Sequence, residues 1–188
     1  MALSSLFRSK ANKATMESAA ALYAAIVAQA RAPVFFAELG VPDTLDGRFE
    51  MVTLHAFLVI DRLRQAKPET DEFAQALFDT MFLDLDRGLR EIGVADLGVG
   101  RRIKTMIQAF YGRAHAYGQG LTAGETELQA ALRRNLYGTV EPRPSDLAAM
   151  AGYLRRQHEA LADSPVAELM AGRLTFAPPD TASGQTAP

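Results

Sequence analysis

The chain contains no cysteine. That absence excludes a disulfide framework, thiolate zinc sites and thiol catalysis, and it fits a reducing compartment. An excess of one charge is also missing: 20 Lys and Arg against 22 Asp and Glu leave a net charge of −2. This argues against a generally basic nucleic-acid binder, while local patches stay open. No long hydrophobic run is present. The longest uncharged stretch, residues 18–30, is mostly alanine, and it is shorter than the ~20 apolar residues that span a bilayer, so no transmembrane helix is expected. Arg8, Lys10 and Lys13 before it, with Ala28, Gln29 and Ala30 at its end, imitate a signal peptide. Glu17 against the apolar segment and the long leading region favour a helix of the mature fold instead. The three histidines, His55, His115 and His158, fall in different expected helices without a carboxylate at ligand spacing, and neither HExxH nor ExxH occurs. The usual zincin and carboxylate di-iron signatures of helical proteins are thereby removed, and no metal, cofactor or catalytic group is expected.

What remains is the composition of an ordinary soluble, intracellular domain: 188 residues, 48% hydrophobic and 22% charged. A chain of this size buries roughly two thirds of its unfolded surface and needs no staple. Helical periodicity recurs almost everywhere and predicts an all-α, single-domain bundle of about seven or eight helices. Residues 1–10 read as a flexible N-terminus, 11–176 as the helical domain, and 177–188, with three prolines and no large apolar side chain, as a disordered tail.

Met16, Ala19, Tyr23, Ile26 and Ala30 share one face of a first helix, and Pro33 opens a short turn of helix through Phe35, Phe36 and Leu39. Residues 41–47 read as a loop. Phe49, Val52, Ala56, Val59 and Leu63 form the next stripe; β-branching makes a strand conceivable, and a length of about fifteen residues decides for helix. A fourth helix is expected from Pro68, with Phe73, Leu77, Met81, Leu85 and Leu89 beside Phe78, Phe82 and Ile92. Residues 93–100 read as a glycine connector, and a fifth helix over 101–120 carries Ile103, Met106, Ile107 and Phe110. Thr122 and Glu125 have capping-box spacing for a sixth helix, Ser145 is the expected cap of a seventh, and Ser164 with Pro165 starts a last short one.

His55, among Leu54, Ala56 and Phe57, reads first as a hydrogen-bonded core imidazole, with a ligand pocket or enzyme site around it as the sharper alternative. His115 and His158 read as surface residues. The connector matches neither a Walker loop, since Val99 stands where the lysine would be, nor a dinucleotide fingerprint; an interhelical turn is the plainer reading. Methionines 51, 81, 106 and 150 fall on apolar stripes and read as core filling. Gly88 and Gly112 sit inside expected helices, where each costs about 1 kcal/mol against alanine, suggesting close approach by another backbone.

Charge is segregated. Glu69, Asp71, Glu72, Asp79, Asp84 and Asp86 precede Arg87, Arg90, Arg101, Arg102, Lys104 and Arg113, which are interrupted only by Glu91 and Asp96. Asp86 with Arg90 and Arg87 with Glu91 are helical i,i+4 pairs. Arg101, Arg102 and Lys104 in the first turns of their helix would oppose its dipole by roughly 0.3–1 kcal/mol each. Pairing with the acidic block offsets that; an external anion on the basic block 87–113, as in a peripheral membrane or RNA-binding module, is the alternative.

The segment carrying Arg31, Gly40, Val41, Pro42, Asp43, Thr44, Gly47, Arg48, Phe49, Glu50, His55, Arg62 and Leu63 resembles the ubiquinol-cytochrome c chaperone family. A stronger block holds Asp79, Thr80, Met81, Phe82, Asp84, Asp86, Leu89, Arg90, Glu91, Gly93, Asp96, Leu97, Val99, Met106, Phe110, Tyr111, Gly112 and Arg113. Together they cover roughly residues 20–115, with Ala95 where a second glycine is expected. The resemblance implies an α-helical, non-enzymatic assembly factor that holds newly made cytochrome b while the cytochrome bc1 complex is built. Mitochondrial members act near the ribosomal exit and the membrane with a small partner protein; this chain lacks their import or anchoring extensions and reads as a bacterial relative. Its expected place is cytoplasmic, peripheral at the inner membrane, with the membrane surface or the ribosome as further contacts and no DNA. The expected client surface is built from helix 68–92, the glycine turn and helix 101–113, with Phe78, Asp79, Phe82, Asp84, Asp86, Arg90, Asp96, Arg101, Arg102 and Arg113 as partner-binding residues.

Overall fold

Residues 50–60 are buried without interruption. A helix hydrophobic all round and covered by its neighbours gives that pattern, and the β-branched stretch is the centre of a helix, α3 (Leu45–Gln65). The computed structural model describes residues 2–179, and among them there are eight helices and no strand, so the fold is all-α. Before α3 come α1 (Ala2–Ala30) and α2 (Pro33–Ala37); after it come α4 (Asp71–Glu91), α5 (Asp96–Ala123), α6 (Glu125–Asn135), α7 (Pro144–Asp163) and α8 (Val166–Met170).

Contacts divide the chain into two compact units. The first comprises residues up to Ala25, Val59–Gln108 and Ser164–Thr175; the second comprises Ile26–Leu58, Ala109–Asp163 and the chain from Phe176. In the first unit Leu22, Tyr23, Leu63, Phe73, Leu77, Met81, Val99 and Leu169 are core. The Tyr23 hydroxyl donates to Asp84 at 3.1 Å, tying α1 to α4, and Arg62 donates to the Ser164 carbonyl at 3.1 Å. In the second unit Phe35, Met51, Leu54, Phe110, Tyr117, Leu132, Tyr137, Met150 and Tyr153 are fully buried. Here α6 packs on α7, and the Tyr137 hydroxyl donates to the Leu39 carbonyl at 2.7 Å.

Several element ends differ from the sequence expectation. α4 begins at Asp71 and not at Pro68, because Thr70 is fully buried and its hydroxyl donates to the Leu63 carbonyl at 2.5 Å, holding 66–70 as a turn. α5 begins at Asp96 and continues through Gly98, Gly100, Gly118 and Gly120, since burial of its apolar face outweighs the glycine penalty of about 1 kcal/mol each. Thr122 therefore lies within α5, donating to the Gly118 carbonyl at 3.0 Å, and Gly124, not a capping box, precedes α6. Ser145 sits in the first turn of α7 and not at its cap. A methyl group built on Gly88 or Gly112 meets nothing within 4 Å, so neither marks a close backbone approach; Gly120 does, its Cβ position lying 2.7 Å from the Leu128 Cα.

The segment Asn12–Ala37 is, by length and composition, apolar enough to cross a membrane. The core helices of soluble proteins share this length and composition, and the helix itself, α1, ends at Ala30, where the uncharged stretch ends. Within the fold Ala19, Leu22, Tyr23, Ile26 and Ala30 of that segment are buried, while Met16 is exposed. At the other end Ala177 is fixed rather than loose: Gln157 donates to its carbonyl at 3.0 Å and accepts its N–H at 3.2 Å, and Phe176 and Pro179 are buried. The rest of the expected tail, from residue 180, lies outside the described residues.

Candidate functional site

Nine of the ten expected partner-binding residues fall in the first unit, on α4 and the start of α5. The C-terminal half of α4 and the turn after it are organised by charge. Arg90 lies between Asp86, at 2.6 Å, and Asp96, so one guanidinium joins α4 to the first turn of α5. The expected Asp86–Arg90 pair is thus present, whereas Arg87 pairs with Asp84 at 3.4 Å and not with Glu91. Asp79 is exposed and accepts from Gln75 at 2.7 Å. Gly93, at a φ of 85°, closes the turn in a left-handed conformation that suits glycine. The Val94 N–H donates to the Leu89 carbonyl at 3.1 Å, so the expected glycine turn is present at 92–95, while the rest of the expected connector, with Gly98 and Gly100, is helix.

Arg101, Arg102 and Lys104 stand outside that network. They lie beyond the first turn of α5, which Asp96 occupies, so the expected dipole penalty does not apply. All three are exposed, and among the described residues they form no ion pair.

The apolar stripe of α4 changes character along its length. Phe73, Leu77, Met81 and Phe82 are buried, Phe78, Leu85 and Leu89 are half-buried, and Leu83 and Ile92 are exposed. The Phe78 and Phe82 rings lie 4.7 Å apart, centre to centre. On α5, Val99 is buried while Ile103, Met106 and Ile107 are half-buried. The later part of α4 and the start of α5 thus hold apolar side chains that the unit does not fully cover, bordered by the charges above.

Arg113 is the exception. It belongs to the second unit, where its guanidinium makes a two-pronged ion pair with Glu50 of α3 and lies 5.9 Å above the Phe49 ring. Burial pushes the Glu50 carboxyl up, against the pull of Arg113. The Tyr117 hydroxyl nearby is pushed well above its ordinary value by the same burial.

His55 is fully buried in that unit. Its Nδ1–H donates to the Met51 carbonyl at 2.8 Å, which leaves Nε2 to accept from the Tyr153 hydroxyl at 2.8 Å; Gln29 in turn donates to that hydroxyl at 2.9 Å. Phe35 and Phe176 set their rings edge-on to the imidazole, at 5.5 and 5.1 Å between centres. Burial drives the His55 pKa down to about 4. With both nitrogens engaged the ring is a satisfied core group, as its neighbours in sequence suggested, and is not poised for proton transfer. His115 is exposed and His158 partly so. A groove of about 790 Å³ runs along α5 and α6, and its walls combine Ala114, Gly118 and Ala131 with His115, Glu127 and Arg134.

The profile of the ubiquinol-cytochrome C chaperone family matches residues 37–176. The ubiquinol-cytochrome-c reductase complex assembly factor 1 of Xenopus laevis is 26% identical over 127 residues, covering 68% of this chain and 64% of that protein. Its Mus musculus counterpart is 24% identical over 159 residues, covering 84% of this chain and 54% of the counterpart. The chain thus spans between about half and two thirds of the length of these curated relatives. The crystal structure of the Cbp3 homolog from Brucella abortus superposes with a TM-score of 0.81 at 37% identity, covering 95% of this chain and 97% of that one.

Proposed function

The chain belongs to the ubiquinol-cytochrome c chaperone family, and from that premise we propose that it is an assembly chaperone of the cytochrome bc1 complex which holds newly made cytochrome b. The names of its animal relatives, as assembly factors of the ubiquinol-cytochrome c reductase complex, support the first half of this reading. The second half rests on one observation: Phe78, Leu85 and Leu89 of α4 and Ile103, Met106 and Ile107 of α5 are only half-buried, beside a core of Phe73, Leu77, Met81 and Val99 in the same unit. A holdase must bind an apolar client before cofactors and subunits arrive and release it afterward, which calls for differential affinity for two client states rather than for a reactive group. Met106 and the aromatic Phe78 supply an adaptable greasy face, and Asp79, Asp84, Asp86, Arg90, Asp96, Arg101 and Arg102 supply its polar border. Phe82 is buried and serves as the floor beneath Phe78; Arg113 is left out of the surface.

The protein acts without catalysis in this reading, on the cytoplasmic side and peripheral at the inner membrane. Photo-crosslinkers at Leu85, Asp86 and Arg102 in growing cells should capture cytochrome b, while one at exposed Thr126 of α6 should not. Capture confined to Thr126 would displace the surface. Normal maturation of cytochrome b in cells lacking the gene would remove the function.

A further inference from the structure

The corner between α4 and α5 combines two features, exposed apolar tips that the client-binding reading does not use and unpaired cations of which Arg101 and Arg102 also border the proposed client surface. Leu97 is 93% exposed and Ile92 is 55% exposed, at either side of the Gly93 turn. Leu97, Arg101 and Lys104 follow at the four-and-three spacing that aligns them along one face of α5, and none of them is on the stripe formed by Val99, Ile103 and Met106. Arg101, Lys104 and the neighbouring Arg102 are exposed and unpaired among the described residues, whereas Asp86 and Asp96 share the single cation of Arg90. With Arg87 paired to Asp84, the corner carries four cations, Arg90, Arg101, Arg102 and Lys104, against three acids, Asp86, Glu91 and Asp96, so the cations are in slight excess and those of α5 are the unpaired ones.

The geometry points to this corner as a docking surface for an anionic lipid bilayer, with Leu97 and Ile92 entering the headgroup boundary and Arg101 and Lys104 resting on lipid phosphates. An exposed leucine at the tip of a helix gains by leaving water for the acyl boundary, and long cationic side chains one and two turns behind it reach the phosphates while their stems stay against apolar surface. Charge complementarity selects acidic headgroups, because Arg101, Arg102 and Lys104, which form no ion pair among the described residues, gain in the negative surface potential of such a membrane. RNA offers the same phosphates but no apolar phase, so it would leave Leu97 and Ile92 in water. Docking through this face leaves the half-buried stripe of α5 open to a client. Vesicle binding requires no client, so its outcome is independent of the chaperone reading.

The test uses the full chain with vesicles of phosphatidylcholine, with or without about one third phosphatidylglycerol. Flotation should show binding to the acidic vesicles only, weakening as salt rises. Arg101→Gln and Lys104→Gln should each lower the vesicle affinity about fivefold, and Leu97→Gln about tenfold, while Val140→Gln, at an exposed apolar residue of the other unit, leaves it unchanged. The chain has no tryptophan, so Leu97→Trp adds a single reporter whose emission should shift to the blue on acidic vesicles. Failure of the wild-type chain to bind acidic vesicles overturns the proposal. So does vesicle binding that survives all three substitutions, which would assign it elsewhere, for example to Asn12–Ala37. Binding to an RNA homopolymer that needs Arg101 and Lys104 but not Leu97, without any vesicle binding, would give the corner to RNA instead.

Discussion

Arg113 of α5 grips both carboxylate oxygens of Glu50 of α3, and the pair is largely withdrawn from solvent, with side-chain exposures of 23% and 8%. Removing one member leaves the other buried and uncompensated, which costs about 3–5 kcal/mol for fully buried pairs. With Arg113 still partly wet, Arg113→Ala should cost about 2–3 kcal/mol. Replacing both residues, with Glu50→Met and Arg113→Leu, should recover most of that. Urea denaturation of the single and double variants checks this, and a double variant as weak as Arg113→Ala would show that the pair stabilises beyond its mutual compensation.

His55 makes the fold sensitive to acid. Burial holds its pKa at about 4 against an ordinary 6.5, so between these values the unfolded chain takes up a proton that the folded chain refuses. Its contribution is complete above about pH 6.5 and falls away toward pH 4, by up to about 3 kcal/mol. Glu50, whose carboxyl is pushed up by burial, takes up its proton earlier in the fold than in the unfolded chain and opposes this trend at the acid end. A His55→Gln variant should be less stable at neutral pH, having lost the Tyr153 contact, yet should show a flatter decline from pH 7 to 5. Equal slopes in denaturation midpoint would contradict the assignment.

The glycines separate cleanly. Gly120→Ala drives a methyl group to 2.7 Å from the Leu128 Cα, an overpacking that should cost about 1–3 kcal/mol. Gly88→Ala and Gly112→Ala enter open space inside helices and should each raise stability by up to about 1 kcal/mol. Thermal melts of the three variants should therefore move in opposite directions.

Gln157 binds the backbone of Ala177 in both directions. Gln157→Leu removes both hydrogen bonds from the exposed Ala177, whose carbonyl keeps only the Gln29 contact at 3.5 Å, at about 0.5–1.5 kcal/mol for each bond. Release of the segment carrying Phe176 should expose the bond after Arg173, so limited trypsin digestion should cut there sooner than in the wild-type chain.

The client surface predicts a separation of function from stability. Leu89→Gln and Met106→Glu alter half-buried positions, so each should lower capture of cytochrome b at least fivefold, with only a small loss in melting temperature. Unchanged capture would argue against this face.

Periodicity was enough to identify the helices, because apolar side chains at three-and-four spacing are the direct signature of a buried helical face. The stripes of α3 and α4, the i,i+4 pair of Asp86 and Arg90, and the core character of His55 were all legible on that basis. Helix ends were less so. The start of α4 depends on the Thr70 hydroxyl finding the Leu63 carbonyl, and the start of α5 depends on burial carrying a helix through Gly98 and Gly100. Neither is a local property, since both depend on what packs against the segment.

The candidate surface shows the same division. Composition and spacing by themselves determined an all-α chain without thiol chemistry, and placed an acidic block ahead of a basic one. Only the tertiary structure decided which of those charges find each other: Arg90 bridges Asp86 and Asp96, Arg113 turns to Glu50, and Arg101, Arg102 and Lys104 are left facing solvent. Spacing along a helix settles contacts between residues three or four apart, whereas a pair 63 positions apart in sequence forms only when packing brings two helices to the same depth and direction.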